Sequence, residues 1–382
     1  MPTELVLTDA RVVTAEDVVR GTVRVAADGR IAALDPGPTA APGALDLEGD
    51  LLLPGLVDLH TDSLERHVQP RFGVVWDAVA AAVSHDVQIA GSGITTVFDS
   101  LTVGAAPGWD ARDEHLAPMI DGLRTAALAG MLRAEHFLHL RCEITHPEIV
   151  ALFESLADEP LVRMISLMDH APGDRQSPDV GAYRRRYLKT FDGDAAAADR
   201  HIAALIEGSR THGPRNRRGL AALARARRIP LASHDDAREA HIEEAAELGV
   251  RFTEFPTTVE AAEAARRHGL AVLMGAPNLI RGGSHSGNVA AGELAVAGLL
   301  DALASDYVPA SLLQAAFRLA ADPFGIPLPA AVATVTRTPA ALAGLDDRGE
   351  IAPGLRADLV RVRVMEGRPV ARAVWRAGER VA

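Results

Sequence analysis

The sequence contains a single cysteine and a single lysine, and each scarcity excludes a kind of chemistry. Cys142 alone allows no intrachain disulfide and no cysteine-rich zinc site, which favours a reducing compartment and predicts a cytoplasmic protein. Lys189 is the only lysine among 39 basic residues. Almost no position therefore offers a lysine as a Schiff-base former, a general base or a carbamylated bridge between metal ions.

The sequence also lacks an apolar run long enough to span a membrane, and its first residues lack the charged and apolar regions of a signal peptide. The formal net charge of -12 argues against general binding of nucleic acid or membrane surfaces. An anionic ligand would need a local group of arginines to overcome that charge. The expected partner is a small-molecule substrate, and the sequence leaves a homodimer open.

What the chain does have is enough apolar sequence for a large core, at 382 residues and 48% hydrophobic content. This length fits one large α/β barrel with a small appendage, or two ordinary domains. Short alternating runs at both ends predict a small β domain formed by residues 1–50 and 345–382, with Asp28-Gly29 as a hairpin turn.

Between these ends, in residues 51–344, short β-branched runs alternate with alanine-rich helical stretches, which predicts βα units and a parallel sheet. Most of the predicted strands end in a polar residue. Parallel barrels build their active sites at the carboxyl ends of the strands, so we expect a (β/α)8 barrel rather than a doubly wound sheet. The eight predicted strands are residues 56–60, 94–99, 137–143, 162–169, 230–234, 252–255, 271–275 and 302–306.

A long, polar, arginine-rich stretch at about residues 171–218 interrupts this alternation. One interpretation is a solvated helical insertion. The other is a basic lid over an anionic ligand, because an insertion at the catalytic end of a barrel covers the substrate.

The strand ends carry a set of residues that predicts a metal site. His60 and Asp62 are two residues apart at the end of an apolar strand, so both side chains face the same cavity. Each candidate alone also has an ordinary structural role, such as a core histidine or a helix cap. Together they form a nitrogen and oxygen ligand set that suits zinc, manganese or iron. The full set is His60, Asp62, Glu143, His170, His234 and Asp306; Asp235, beside His234, stays undecided.

Six ligands fit two divalent ions. Lys189 lies in the insertion, outside any predicted strand, so Glu143 is the best candidate for a bridging ligand. Two cations would lower the pKa of a bound water and neutralise charge on the attacked group. Asp306, at the last strand, is expected to orient or deprotonate that water.

A glycine-rich segment, residues 275–288, follows the seventh predicted strand. Its glycines would let backbone N–H groups approach an anion, and Arg281 offers a guanidinium fork that matches phosphate oxygens. It is not a Walker loop, because the Gly-Lys-Ser/Thr ending is absent. The alternative is a flexible Gly/Ser loop. The predicted substrate-binding residues are Arg281, His285, Asn278 and Arg141.

Several of these segments together, residues 53–65, 141–143, 166–170, 232–236, 255–258, 275–288 and 305–307, resemble the phosphonate-metabolism branch of the amidohydrolase superfamily. The resemblance covers essentially the full length. It implies a distorted (β/α)8 barrel with a β-sandwich made from both termini. It also implies metal-dependent attack of water on the 5-triphosphate of a ribose 1-methylphosphonate, with release of pyrophosphate. The superfamily's usual His-x-His is here His60-Thr61-Asp62, where a carboxylate replaces one imidazole.

Two other functions compete with this one. An amidohydrolase that cleaves a C–N bond, as a cyclic amidase or deaminase, would need a general acid because an amine leaves poorly. Pyrophosphate leaves well once its charge is neutralised, so arginines and cations suffice. The arginine-rich insertion and Arg281 therefore argue against C–N cleavage. The third function, a metal-free binding protein on the same barrel, is disfavoured by the six ligand-type residues.

Overall fold

The chain folds into two eight-stranded sheets with helices packed around the second of them. The computed structural model describes residues 4–71, 73–104, 110–191, 193–284 and 286–382. The strands are β1 Leu5–Val13, β2 Val18–Val25, β3 Ile31–Pro36, β4 Leu45–Asp46, β5 Leu51–Pro54, β6 Leu56–Thr61, β7 Ile94–Val103, β8 Glu135–Glu143, β9 Val162–Met168, β10 Leu231–His234, β11 Phe252–Glu254, β12 Ala271–Gly275, β13 Ala302–Ala304, β14 Leu359–Met365, β15 Arg368–Arg376 and β16 Glu379–Arg380.

Most of the helices follow barrel strands, as βα units require. None of the described helices is both long and apolar enough to cross a membrane. The helices are α1 Leu64–Val68, α2 Ala78–Gly91, α3 Asp110–Leu128, α4 Ile149–Leu156, α5 Val180–Tyr187, α6 Ala195–Arg227, α7 Glu239–Leu248, α8 Val259–Arg267, α9 Ala276–Arg281, α10 Ala291–Val296, α11 Ser311–Ala320, α12 Leu328–Ala333 and α13 Arg337–Ala343, with a 3-10 turn at Leu188–Phe191.

The first sheet is built from both ends of the chain. Its strands run in the order β16-β15-β14-β5-β1-β2-β3, with β4 beside β1. The predicted hairpin turn joins β2 to β3, where Gly29 has a φ of 79° that residues with a Cβ rarely adopt. Leu52, Leu359 and Trp375 lie in the core of this sheet. The two chain ends therefore share one hydrophobic core.

The second sheet is a barrel in which the parallel strands β6 to β13 each pair with the next. A parallel bridge between Thr61 and Asp306 closes it: the Asp306 N–H donates to the His60 carbonyl (2.9 Å), and the Asp62 N–H donates to the Asp306 carbonyl (3.0 Å). Leu59, Phe98 and other apolar side chains fill its interior. The predicted (β/α)8 barrel with an accessory β domain made from both termini is confirmed.

All eight predicted barrel strands are present, and their ends differ from the prediction for a physical reason. The second strand, β7, continues to Val103 instead of ending at Asp99. Two others, β11 and β13, end earlier than predicted, at Glu254 and Ala304, and Phe255 and Asp306 beyond them have φ values of 57° and 55°. Strand β10 ends at His234 as predicted, and Asp235 after it has a φ of 55°. This left-handed conformation ends a strand and is uncommon for residues other than glycine. Asp235 and Asp306 adopt it at the carboxyl edge of the sheet.

The arginine-rich insertion is helical and has its own small core. Tyr183 on α5 packs against Ile202 and Leu205 of α6. Helix α6 continues to Arg227, past the predicted end of the insertion, and leads directly into β10. It also crosses the end of β8 closely, because a Cβ at Gly208 would lie 2.8 Å from the Thr145 carbonyl oxygen. The insertion is thus anchored against the carboxyl end of the barrel.

A chain of buried ionisable side chains joins α2 to the outer side of the barrel. Asp99 on β7 accepts hydrogen bonds from His85 Nε2 (2.6 Å) and His136 Nδ1 (2.7 Å). Asp86 lies beyond His136 and accepts from the Ala134 N–H at 2.8 Å. Burial opposes charging of the imidazole, but the Asp99 and Asp86 carboxylates together raise the pKa of His136 to about 9. The charged His136 therefore forms ion pairs with two buried carboxylates, those of Asp86 and Asp99.

This network predicts a pH-dependent stability. The pKa of His136 is about 9 in the folded chain, above its ordinary value of 6.5. The charged His136 therefore stabilises the fold fully below about pH 6.5, and this stabilisation is lost as the pH rises through about 9. We expect the free energy of unfolding of the wild type, relative to His136→Gln, to fall by roughly 3 kcal/mol between about pH 6 and about pH 10. Urea unfolding of both proteins measures this difference, and the subtraction cancels other titrating groups. A difference that stays constant across this range would remove His136 from the role.

Candidate active site

A cavity of about 570 Å³ opens at the carboxyl end of the barrel strands. Two kinds of side chain line it. The imidazoles and carboxylates come from strand ends, and the arginines come mainly from helices and from the insertion. The first group is His60, Asp62, His234, Asp235 and Asp306, and the second is Arg66, Arg141, Arg186 and Arg281.

Glu254, at the end of β11, orients two of these imidazoles at once. Its two carboxylate oxygens accept from Nδ1 of His60 (2.9 Å) and Nδ1 of His234 (2.7 Å). Glu254 is completely buried, and although burial opposes ionisation, the neighbouring histidines hold its pKa well below the ordinary value. Because a carboxylate only accepts, both rings donate from Nδ1 and keep Nε2 for another partner. This is the arrangement that buried carboxylates give to metal-binding histidines.

Asp235 lies on the other side of His234. Its Oδ2 is 3.3 Å from His234 Nε2, and that oxygen is buried without a hydrogen-bond partner among the residues that the structure describes. Burial opposes a charged ring, but Asp235 and Glu254 together raise the pKa of His234 to about 10. Ligand atoms of His170, His234 and Asp235 all lie within 4.8 Å of one another. This place attracts a cation, and its nitrogen and oxygen donors suit a divalent metal.

Glu143, the predicted bridging ligand, ends β8 and lies beside His170. Its Oε2 accepts from His170 Nδ1 at 2.8 Å, and its Oε1 accepts from the Thr145 hydroxyl at 3.0 Å. Although burial opposes ionisation, these hydrogen bonds and the nearby His170 ring hold the pKa of Glu143 below its ordinary value. Glu143 is not among the described residues that line the cavity. In this arrangement it orients His170, and Asp235 is the carboxylate beside the imidazoles.

Asp306 and Asp62 lie in the cavity near each other and near Arg141. Burial and the charge of Asp62 raise the pKa of Asp306 to about 7. Arg141 Nη1 is 3.7 Å from Asp62 Oδ2, and its Nε contacts the sulfur of Met168 at 3.2 Å. A carboxyl group that titrates near neutral pH is suited to accept and return a proton.

His139 supports His60 from inside the barrel. Its ring packs edge-on against the His60 ring, with centroids 5.2 Å apart. Burial lowers the pKa of His139 to about 3, so the ring is neutral. Its Nδ1 donates to the Leu59 carbonyl and its Nε2 accepts from the Ser166 hydroxyl, both at 2.9 Å. These contacts occupy both of its nitrogens.

The glycine-rich segment begins with a helix, so its first part is not the flexible Gly/Ser loop that was the alternative interpretation. Residues Ala276–Arg281 form α9, with Pro277 in the first turn and Gly282 as its left-handed C-cap. Asn278 lines the cavity, but its amide accepts from the Ala291 N–H (2.9 Å) and donates to the Val289 carbonyl (3.2 Å). Its side chain thus fixes the shape of the segment. The predicted His285 lies outside the described residues.

Tyr307, which follows Asp306, joins two of the arginines. Arg66 donates from Nη1 to the Tyr307 carbonyl (3.2 Å) and lies over its ring, 5.7 Å from the centroid. Arg281 donates from Nη1 to the Tyr307 hydroxyl at 3.4 Å. From the insertion, Gln176 and Arg186 reach the same cavity.

Several of these residues are absent from the predicted set, namely Glu254, Asp235, Arg66, Arg186 and Tyr307. Glu254 carries a usable signal, because it is the polar residue next to the end of the predicted strand 252–255, and it is the last residue of β11. Arg66 and Arg186 carry none in the sequence, since their approach to the cavity depends on how α1 and α5 pack.

The chain matches known proteins at two levels. Residues 190–382 match the model of a family described as the amidohydrolase family. Over 379 residues the chain is 47% identical to the α-D-ribose 1-methylphosphonate 5-triphosphate diphosphatase of Escherichia coli K12, and the match covers 99% of this chain and 100% of that protein.

Solved structures share the fold at low sequence identity. A putative prolidase from Bifidobacterium longum superposes with a TM-score of 0.67 at 17% identity, covering 100% of this chain and 95% of that one. A 5-methylcytosine deaminase from Klebsiella pneumoniae gives 0.66 at 14% identity, covering 99% and 98%. An N-acetyl-D-glucosamine-6-phosphate deacetylase from Mycobacterium smegmatis gives 0.64 at 18%, covering 100% of both. At such identities the likeness shows the fold alone.

Proposed function

The chain belongs to the amidohydrolase family, and on that premise we propose that it hydrolyses α-D-ribose 1-methylphosphonate 5-triphosphate to the 5-phosphate and pyrophosphate, in phosphonate degradation. The observation that carries this proposal is the 47% identity to the Escherichia coli diphosphatase over the whole length. The cavity supports it, because four arginines converge there with a set of imidazoles and carboxylates. Hydrolysis of a triphosphate ester needs both the arginines and the imidazoles and carboxylates.

The donor set fits two divalent ions, with zinc ahead of manganese or iron. We assign His170, His234 and Asp235 to one ion, with His60, Asp62 and Asp306 available for the other. Ions bound there would lower the pKa of water and neutralise charge on the phosphates. Glu254 and Glu143 hold the rings of His60, His234 and His170 in the tautomer that leaves Nε2 free.

The rest of the chemistry falls to the chain's own side chains. Asp306 accepts a proton from the attacking water as the anhydride bond between the α- and β-phosphates breaks. The water oxygen becomes part of one product, and the bond electrons leave with the other. Arg281 and the neighbouring arginines bind the released pyrophosphate and neutralise its charge, so no dedicated general acid is needed.

Phosphorus NMR tests this function and its dependence on metal. Metal-loaded protein incubated with the triphosphate is expected to give pyrophosphate and α-D-ribose 1-methylphosphonate 5-phosphate as products. Removal of metal with a chelator is expected to abolish turnover, and addition of zinc is expected to restore it. Release of orthophosphate alone, or no turnover by the metal-loaded protein, would overturn the proposal and return attention to C–N bond hydrolysis.

A further inference from the structure

The insertion is rich in arginine, and five of its nine arginines form ion pairs with carboxylates of the described residues. Buried Arg175 donates to the Asp236 carboxylate (2.5 Å) and to the His234 carbonyl (3.1 Å), which anchors the insertion to β10. The other ion pairs are Arg184 with Asp199, Arg185 with Asp179, Arg210 with Glu207 and Arg217 with Asp169. These contacts give about half of the insertion's arginines a structural role.

Arg186 is different, because it lines the cavity. Its guanidinium lies 5.8 Å from the centroid of the Tyr187 ring. Within the described part of the chain, no carboxylate forms an ion pair with it. Arg66 and Arg281 likewise form no ion pair with a carboxylate of the described residues, and both contact Tyr307. Three guanidinium groups from α1, α5 and α9 thus line one concave space, and none of them pairs with a carboxylate of the described residues, in a chain with a net charge of -12.

A second observation marks the same part of the cavity as a place for a ligand. Ser286 lines the cavity, and its hydroxyl oxygen is buried with no hydrogen-bond partner among the residues described. An unsatisfied buried hydroxyl costs free energy unless a ligand pairs with it. Arginines that repel one another are likewise stabilised by an anion between them. Arg141 is set apart from this group, since it lies beside Asp62.

We propose that Arg66, Arg186 and Arg281 form a diphosphate subsite, which holds the β- and γ-phosphates of the substrate and then the pyrophosphate product. The identity of these phosphates rests on the proposed function, whereas binding of pyrophosphate does not require turnover. Two of the arginines belong to the barrel, and Arg186 is carried by the insertion. The insertion therefore supplies a specificity-determining residue, and substrates that lack a terminal diphosphate leave Arg186 without a partner.

Calorimetric titration of pyrophosphate into the metal-loaded full chain tests the subsite. Arg186→Gln is expected to weaken pyrophosphate binding about 10-fold, because it removes one charge-assisted contact. The matched control is Arg185→Gln, which changes the same charge in the same helix at a side chain that is 74% exposed and lies 3.8 Å from Asp179. The control is expected to bind pyrophosphate as the wild type does. Arg66→Gln, on a different helix, should reproduce the loss.

The outcomes separate the subsite from the proposed function. Equal binding by Arg186→Gln and Arg185→Gln, whether both tight or both weakened, would overturn the subsite even if turnover is observed. Selective weakening in Arg186→Gln supports the subsite even if phosphorus NMR shows no turnover of the triphosphate. In steady-state assays, Arg186→Gln should raise KM more than it lowers kcat.

Discussion

Glu254→Gln is expected to weaken metal binding by about 10- to 100-fold and to abolish most of the activity, while the fold persists. The substitution keeps the size of the side chain and changes only its hydrogen-bonding pattern. Glu254 accepts from His60 Nδ1 at 2.9 Å and from His234 Nδ1 at 2.7 Å. A glutamine has one accepting oxygen and one donating NH2 group, so it can satisfy only one of these rings as it stands.

The second ring must then change tautomer. Its Nδ1 would accept from the amide, and its Nε2 would carry the proton and face the cavity. An imidazole that presents N–H to a cation is no longer a ligand. The variant also removes the negative charge that stabilises any cation near the two rings. Both effects act on the metal before any substrate binds.

Metal content after dialysis against increasing chelator concentrations measures this effect, alongside thermal unfolding. Glu135→Gln is the matched control, because Glu135 lies at the opposite end of the barrel strands and pairs with Arg348 and Arg356. The control should lower stability without changing metal content. Retention of the full metal content by Glu254→Gln at chelator concentrations that the wild type tolerates would show that Glu254 does not position the two rings.

The barrel could be predicted from sequence because its strands are buried on both faces. Leu56, Val57 and Leu59 and their counterparts in the other strands form apolar runs whose ends are easily recognised. The same reasoning located His60 and His234 at strand ends, where they line one cavity. In a parallel barrel, the order of the strands along the chain determines which strands are neighbours, and therefore which strand ends lie together.

The partners of these residues could not be predicted in the same way. Glu254 reaches His60 across 194 residues of sequence, and β11 is only three residues long. Asp235 faces the cavity because of its positive φ. A positive φ is uncommon for an aspartate and could not be predicted from the sequence. The helix α9 was predictable, since a proline in the first turn and a glycine cap are helix signals. The many glycines of the segment favoured its interpretation as an irregular segment instead of a helix.

Asp306→Asn is expected to lower kcat by roughly 100- to 10,000-fold with little change in KM, because it removes the group that accepts the proton from water. Burial and Asp62 place the pKa of Asp306 at about 7, whereas an amide cannot accept a proton near neutral pH. The barrel closure should survive, because its two hydrogen bonds with His60 and Asp62 use the backbone of Asp306. Substrate affinity should survive too, since the arginines are untouched.

Steady-state kinetics, metal content and pyrophosphate binding of the variant together test this role. Asp301→Asn is the control, because Asp301 precedes the same strand at its other end, where it accepts from the Val272 N–H at 2.8 Å. The control should keep its kcat. If Asp306→Asn lost metal in proportion to its activity, the loss of a metal ligand would account for the effect, and the role of Asp306 as the base would be overturned. If it stayed active with its metal in place, the proton would have to go elsewhere, and Asp235, the other carboxylate beside the imidazoles, would be the next residue to replace.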